Sequence, residues 1–375
     1  MKNLCALFAC FMLVGFMNAQ VKRDSIESYK LEEKRELKIQ LPRNYDSKSE
    51  RTYPVLVVLD GDYLFEPVAG NVDYQSYWEN IPDCIIVGVS QSETREDDLL
   101  LREDNSNFYE FIDIELLPYI EENYKSSSFR MIAGHGLSAT FINNYLLKDI
   151  PLFRAYIALS PNLEVEMRTK LKERLSKLED ETFYYIATGD EDESDNRTSV
   201  LECNNGFKSI DNTKLHYRFD DFKDANHLSL VGRGVSRALK EIFSLYQPID
   251  TKEYKEKILT YEGSPFDYLI KKYQDIEYFY GFEKKVVEND LRAISAACKS
   301  KDDAEAMEKL ALYVKKEFPG SMLGAYYIGM YHETYGSLKK ALISYKSGLS
   351  LTPSQYIDKD LMLEKMYQIE RELKN

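Results

Sequence analysis

The residues of this 375-residue chain that could do chemistry gather in three short segments. Arg130-Met131-Ile132-Ala133-Gly134-His135-Gly136-Leu137-Ser138-Ala139 reads as a strand, a tight turn of small residues, and a helix continuing through Thr140-Phe141-Ile142. Asn226-His227-Leu228-Ser229-Leu230 places a histidine in a loop just before a helical pattern, and Gly189-Asp190-Glu191-Asp192-Glu193 places four carboxylates just after a strand. A loop histidine and a loop carboxylate are ingredients of general acid–base chemistry. Four consecutive acids are nearly as well explained as a solvated loop. Calcium would find oxygen ligands there, but the EF-hand spacing is absent, and nothing in the sequence calls for a metal or a cofactor. Of the four histidines, His135 sits in the tight turn, His216 in an alternating strand and His332 in a helix, contexts that favour packing or surface roles.

Composition narrows the chemistry further. Five cysteines without a CxxC pair supply neither a zinc pattern nor a disulfide framework. With 49 basic against 63 acidic side chains the formal charge is −14, a poor match to phosphate backbones, so nucleic acid is excluded as an expected partner. Lys2, the apolar run from Leu4 to Met17 and then Asn18-Ala19-Gln20 have the order of a secretory signal cleaved after Ala19, which implies export to the periplasm or beyond. That run is too short to span a bilayer, and no later stretch is long and apolar enough to do so. Cys10 as a lipidation site would leave too little hydrophobic segment before it. Cleavage would leave Cys84, Cys203 and Cys298, an odd, widely spaced set expected as buried thiols.

The elements that must position the three segments are legible between Leu37 and about Tyr246, where short β-branched runs alternate with helical patterns. Val55–Leu59 and Ile85–Val89 are continuous apolar runs, as in central strands covered on both faces. Arg130–Ala133, Ala155–Leu159 and Phe183–Ala187 continue the series, and Leu37–Leu41 alternates as an antiparallel edge strand would. Phe108, Phe111, Ile112, Glu115, Leu116 and Tyr119 follow helical spacing. The expected body is a doubly wound α/β domain over residues 20–248.

After Pro248 no strand-like run recurs, and residues 249–375 are expected to form an all-helical domain. Taking Pro353 as the end of a 34-residue unit places Ile328, Gly329, Gly336, Ala341, Tyr345 and Gly348 at the small and large positions of a tetratricopeptide repeat, which the stretch resembles. Such helix pairs need neighbours to bury their apolar faces, so this region either binds a protein partner or supports the α/β domain. Tyr268, Tyr273, Tyr278 and Tyr280 cluster in sequence as a ligand face or, as expected for most of them, as packing.

Several motifs occur in register: Tyr53-Pro54-Val55-Leu56-Val57-Val58-Leu59-Asp60-Gly61-Asp62, Leu117-Pro118-Tyr119-Ile120-Glu121-Glu122-Asn123-Tyr124, Ala158-Leu159-Ser160-Pro161 and Asn226-His227-Leu228-Ser229. With the strand–turn–helix at 130–142, they make residues 30–246 resemble the esterase family of α/β hydrolases that includes esterase-D-like enzymes and siderophore esterases. The resemblance implies a mostly parallel sheet with helices on both faces, and a nucleophile elbow at the tight turn.

At that elbow the family carries Gly-His-Ser-Leu-Gly-Gly, whereas this chain has Gly134-His135-Gly136-Leu137-Ser138-Ala139. The nucleophile position is Gly136, and covalent acyl transfer needs a hydroxyl there. Ser138, at a position where helix and strand approach, is expected to point away. By the same resemblance His227 is the general base and Asp192 its acid, chosen by a G-x-x-D spacing. The oxyanion donors would be the N–H groups of Leu137 and of the Gly61-Asp62 segment. Two functions are carried forward: a catalytically impaired esterase-like protein that binds a small ester- or carboxylate-containing ligand or a protein partner, and an active carboxylic-ester hydrolase using His227 with an unusual nucleophile or activated water.

Overall fold

The computed structural model describes residues 21–91, 93–101 and 106–374; the proposed signal at 1–19 lies outside the described residues. The chain divides into two compact units. One comprises the described residues up to Tyr246 together with Phe279–Phe282, and the other comprises Gln247–Tyr278 and the described residues from Glu283 onward.

The first unit is built on an eight-stranded sheet in the order β1-β2-β4-β3-β5-β6-β7-β8. Its strands are β1 (Val21–Ser28), β2 (Glu33–Gln40), β3 (Tyr53–Val58), β4 (Ile85–Val89), β5 (Ser126–His135), β6 (Ala155–Leu159), β7 (Thr182–Glu191) and β8 (Leu215–Asn226). β3, β4 and β6 are buried along their whole length, which is why they read as unbroken apolar runs. From β4 to β8 all pairings are parallel, and β1 pairs with β2, and β2 with β4, antiparallel. The expectation that Leu37–Leu41 forms the sheet edge is corrected: β2 is one strand in, because Val21–Ser28 pairs along its outer side. Val-Lys-Arg-Asp-Ser-Ile-Glu-Ser gives little apolar signal, since only its last residue is buried.

The helices that matter to the site are α1 (Phe65–Tyr77), α2 (Arg95–Leu99), the stretch 107–123 with a π-helical turn at Ile112–Leu116, α3 (Leu137–Phe141), α4 (Val165–Ser176), α5 (Ser194–Phe207) and α6 (Leu230–Ile242). α6 buries Leu230, Val231, Gly234, Val235, Ala238, Leu239 and Ile242, a continuous stripe at spacings of three and four. At Gly234 a Cβ would come within 2.6 Å of Leu159, so glycine lets α6 lie close on β6.

Phe279–Phe282 enters the first unit's core. Tyr280 is fully buried with its ring 5.1 Å from Phe129 and 5.2 Å from Phe243, and its hydroxyl donates to the Ile242 carbonyl at 2.8 Å. The four tyrosines do not form one face: Tyr278 is exposed, Tyr273 donates to Asp290 and Tyr268 to Glu253.

Among its described residues the second unit consists of helices and their connecting loops with one β-bridge, Ser321 with Thr352, and no strand. Its helices α7 (Glu288–Ser300), α8 (Ala304–Glu317), α9 (Met322–Tyr335), α10 (Leu338–Gly348) and α11 (Lys359–Lys374) enclose a core of its own. Gly329 on α9 lies against the Tyr345 ring of α10, and Gly348 lies between Met362 and Ala325.

Candidate active site

β5 delivers the chain into a sharp turn at Gly136, where φ is +60° and ψ −116° before α3 begins. Side chains rarely adopt that backbone, so a glycine here is unstrained where another residue would not be. Gly134 is needed for a different reason, since a Cβ there would lie 2.5 Å from the Ser138 carbonyl carbon. The Gly136 N–H donates to the Leu159 carbonyl at 2.9 Å, which ties the turn to β6. A Cβ placed on Gly136 would lie 3.3 Å from His227 Nε2, so position 136 faces the histidine directly. Ser138 does not: it is fully buried, and its Oγ accepts from the His135 N–H at 2.9 Å and donates to the His135 carbonyl at 3.1 Å.

His227 follows β8 in a turn held reciprocally by its neighbours. The Asn226 N–H donates to Ser229 Oγ and the Ser229 N–H to Asn226 Oδ1, both at 2.9 Å, immediately before α6. Its Nδ1 lies 2.9 Å from Asp192 Oδ1. Asp192 sits in the loop between β7 and α5 with its carboxylate out of contact with solvent. Burial alone would raise its pKa. Hydrogen bonds from His227, Thr188 Oγ1, Ser160 Oγ and the Glu193 N–H outweigh that and bring it to about 2. The Asp192 hydrogen bond in turn raises the pKa of His227, against partial burial. Nδ1–H is thus committed to Asp192 and Nε2 is turned toward Gly136. The other acids of the run lie elsewhere: Glu191 and Glu193 are exposed and Asp190 accepts from the Ala225 N–H.

Two residues without an assigned role complete the arrangement. Ser160, fully buried at φ +53°, places its Oγ 3.0 Å from both His227 Nδ1 and Asp192 Oδ1, and Asn196 Nδ2 donates to its carbonyl and hydroxyl oxygens. The Leu-Ser-Pro motif flagged this position without indicating its use. His135 packs its ring 4.1 Å from that of His227, with its Nε2 2.9 Å from the His227 carbonyl. Burial, and then the charge of His227, lower its pKa to about 4, so it is neutral near pH 7 and its Nε2–H donates to that carbonyl. His216 instead meets Glu181 at 2.7 Å, and His332 lies on α9.

Gly136, Leu137 and His227 line a cavity of about 780 Å³. Its apolar wall includes Leu99, Phe141, Leu147 and Met167, and its polar groups include Arg95, Asn144, Asn162 and Asn196. Arg95 pairs through Nε and Nη2 with both oxygens of Asp60, a buried carboxylate that also accepts from Tyr63. The expectation that Gly61 supplies an oxyanion donor is corrected: its N–H donates to the Val89 carbonyl at 2.8 Å. The Tyr63 N–H is likewise spent on the Asp60 carbonyl, so within residues 61–63 only Asp62 keeps its amide for such a role. Leu137 begins α3, where an N–H has no carbonyl of its own helix to reach. Among the described residues no group of three or more histidine, cysteine, aspartate or glutamate side chains is placed to hold a metal ion.

Residues 28–216, half of the chain, match the model of a family described as Putative esterase. No curated protein matches the chain. Among solved structures it is similar to an uncharacterised protein from Capnocytophaga ochracea, 28% identical with a TM-score of 0.78 over 94% of this chain and 100% of that one. An IroE-like serine hydrolase from Shewanella oneidensis shares the fold at 22% identity and a TM-score of 0.60, over 77% of this chain and 97% of the other. The siderophore hydrolase EstA from Aspergillus nidulans does so at 15% identity and a TM-score of 0.53, over 62% and 97%.

Proposed function

Because the chain belongs to the Putative esterase family, we propose that it is an esterase-fold protein that binds a small ester- or carboxylate-containing ligand in the cavity before His227 without forming an acyl-enzyme. One observation carries this reading: the residue facing His227 Nε2 at the elbow is Gly136, which has no side chain to attack a carbonyl. The positions around it support binding. His227 is held by Asp192, Leu137 offers a backbone N–H, and the cavity is large enough for a small organic ligand.

The assembled Asp192–His227 pair favours a second reading, hydrolysis by a water that His227 activates. Loss of the nucleophile from a triad leaves only about 10³–10⁴-fold catalysis over water, so this route is slow. In either reading the protein is exported, and the tetratricopeptide-like stretch that forms α9 and α10 receives a protein partner or supports the rest of the chain. The test is labelling by a fluorophosphonate probe and turnover of short chromogenic esters, with His227→Ala as control. Absence of both supports a binding protein; labelling, or turnover lost in His227→Ala, overturns it.

A further inference from the structure

Removing the side chain at position 136 opens a recess against a histidine whose opposite nitrogen is already committed. With a serine present, Nε2 would accept its hydroxyl proton. With Gly136 that partner is gone, and a ligand atom can approach Nε2 where a Cβ would have stood 3.3 Å away. Once protonated, His227 presents Nε2–H to the recess while Nδ1–H stays on Asp192. Arg95 lines the same cavity, and its charge acts against protonation of His227. Asp60 engages its Nε and Nη2 but not Nη1. An anion between these two cations would turn their repulsion into two attractions, and an ester carbonyl, being neutral, would gain far less. Glu164, Glu166 and Glu193 are exposed on the cavity lining, with Glu166 paired to Lys170, so a second negative charge on the ligand is disfavoured.

We propose that the Gly136 recess seats the carboxylate of an amphipathic monocarboxylic acid, one oxygen against His227 Nε2 and Arg95 beside it, with the apolar remainder along Leu99, Leu137, Phe141, Leu147 and Met167. This rests on the non-hydrolytic reading above and names its ligand class. The groups facing His227 are Asp192 and Glu193 after β7, Arg95 on α2 and His135 at the end of β5. The acidic pair holds its proton against Arg95, so binding is strongest below the raised His227 pKa and weakens about tenfold per pH unit above it.

The experiment is calorimetric titration of the full chain with 3-phenylpropionate and with its methyl ester at about pH 6 and about pH 9, with proton NMR of the mixtures to detect ester cleavage. The acid is expected to bind at about pH 6, at least about tenfold more tightly than the ester, and to bind measurably more weakly at about pH 9. Arg95→Gln, checked for folding by its melting curve, should weaken the acid more than about fivefold and the ester by clearly less. Gly136→Ser, checked for folding by its melting curve, should weaken the acid about tenfold by filling the recess. Equal affinity for acid and ester, affinity independent of pH, or no binding of the acid at about millimolar concentration overturns the carboxylate assignment and leaves the non-hydrolytic reading standing. Conversion of ester to acid that is lost in His227→Ala overturns the non-hydrolytic reading, and the assignment with it.

Discussion

Replacing Gly136 by serine tests the geometry of the elbow in two opposing directions. The backbone there has φ +60°, and a Cβ would come 3.3 Å from His227 Nε2, a contact that requires the imidazole to yield by a few tenths of an ångström. Holding a non-glycine residue in such a conformation costs about 1–3 kcal/mol, so thermal unfolding should move down by several degrees. The hydroxyl, in return, would complete a serine, His227 and Asp192 series. Loss of the nucleophile in a triad hydrolase costs about 10⁶ in rate, and lack of one oxyanion donor costs about 10²–10³. Because the Gly61 amide is spent on Val89 and Asp62 alone within residues 61–63 is left to donate in its place, the full gain is not expected. The variant should instead hydrolyse a short chromogenic ester about 10³-fold faster than the parent, label with a fluorophosphonate, and lose both properties when His227→Ala is added. An equally stable variant with neither labelling nor a gain in rate would refute the claim that position 136 is a strained elbow aimed at His227.

Other consequences can be measured independently. Asp192→Asn should lower the His227 titration followed by NMR, since the carboxylate's hydrogen bond is the main influence raising it; an unchanged midpoint would show that the pair is not coupled. Buried, neutral His135 binds its proton only near pH 4 in the folded state but near 6.5 when unfolded. The unfolded chain therefore takes up the extra proton as pH falls from about 6.5 to about 4, and stability declines by of order 3 kcal/mol across that window. His135→Gln, whose amide can still reach the His227 carbonyl, should lack that decline, and parallel denaturation curves for parent and variant would contradict it. Tyr280→Ala removes a fully buried ring from among Phe129, Phe183 and Phe243, and chemical denaturation of the full chain should show a loss of about 3–5 kcal/mol in the first unit. A loss under about 1 kcal/mol would mean that the segment 279–282 does not support that core.

The amino-acid sequence by itself determined the strands buried on both faces, because β3, β4 and β6 must be apolar throughout and their short runs alternate with helical patterns. It also determined that no hydroxyl stands at position 136, since a strand–turn–helix with small residues at fixed offsets is local information. β1 was hidden because an edge strand solvated over most of its length needs no apolar pattern. Tertiary structure decided everything that depends on several chain segments meeting. Four adjacent acids compete on equal terms in the sequence, and only the turn after β7 brings Asp192 to His227. Ser160 and His135 acquire their roles from the loop after β8, which lies 67 and 92 residues away along the chain. Whether a backbone N–H is free for an oxyanion depends on which carbonyl lies opposite it. Gly61 loses that freedom to Val89 on a neighbouring strand, a pairing that side-chain identities do not encode.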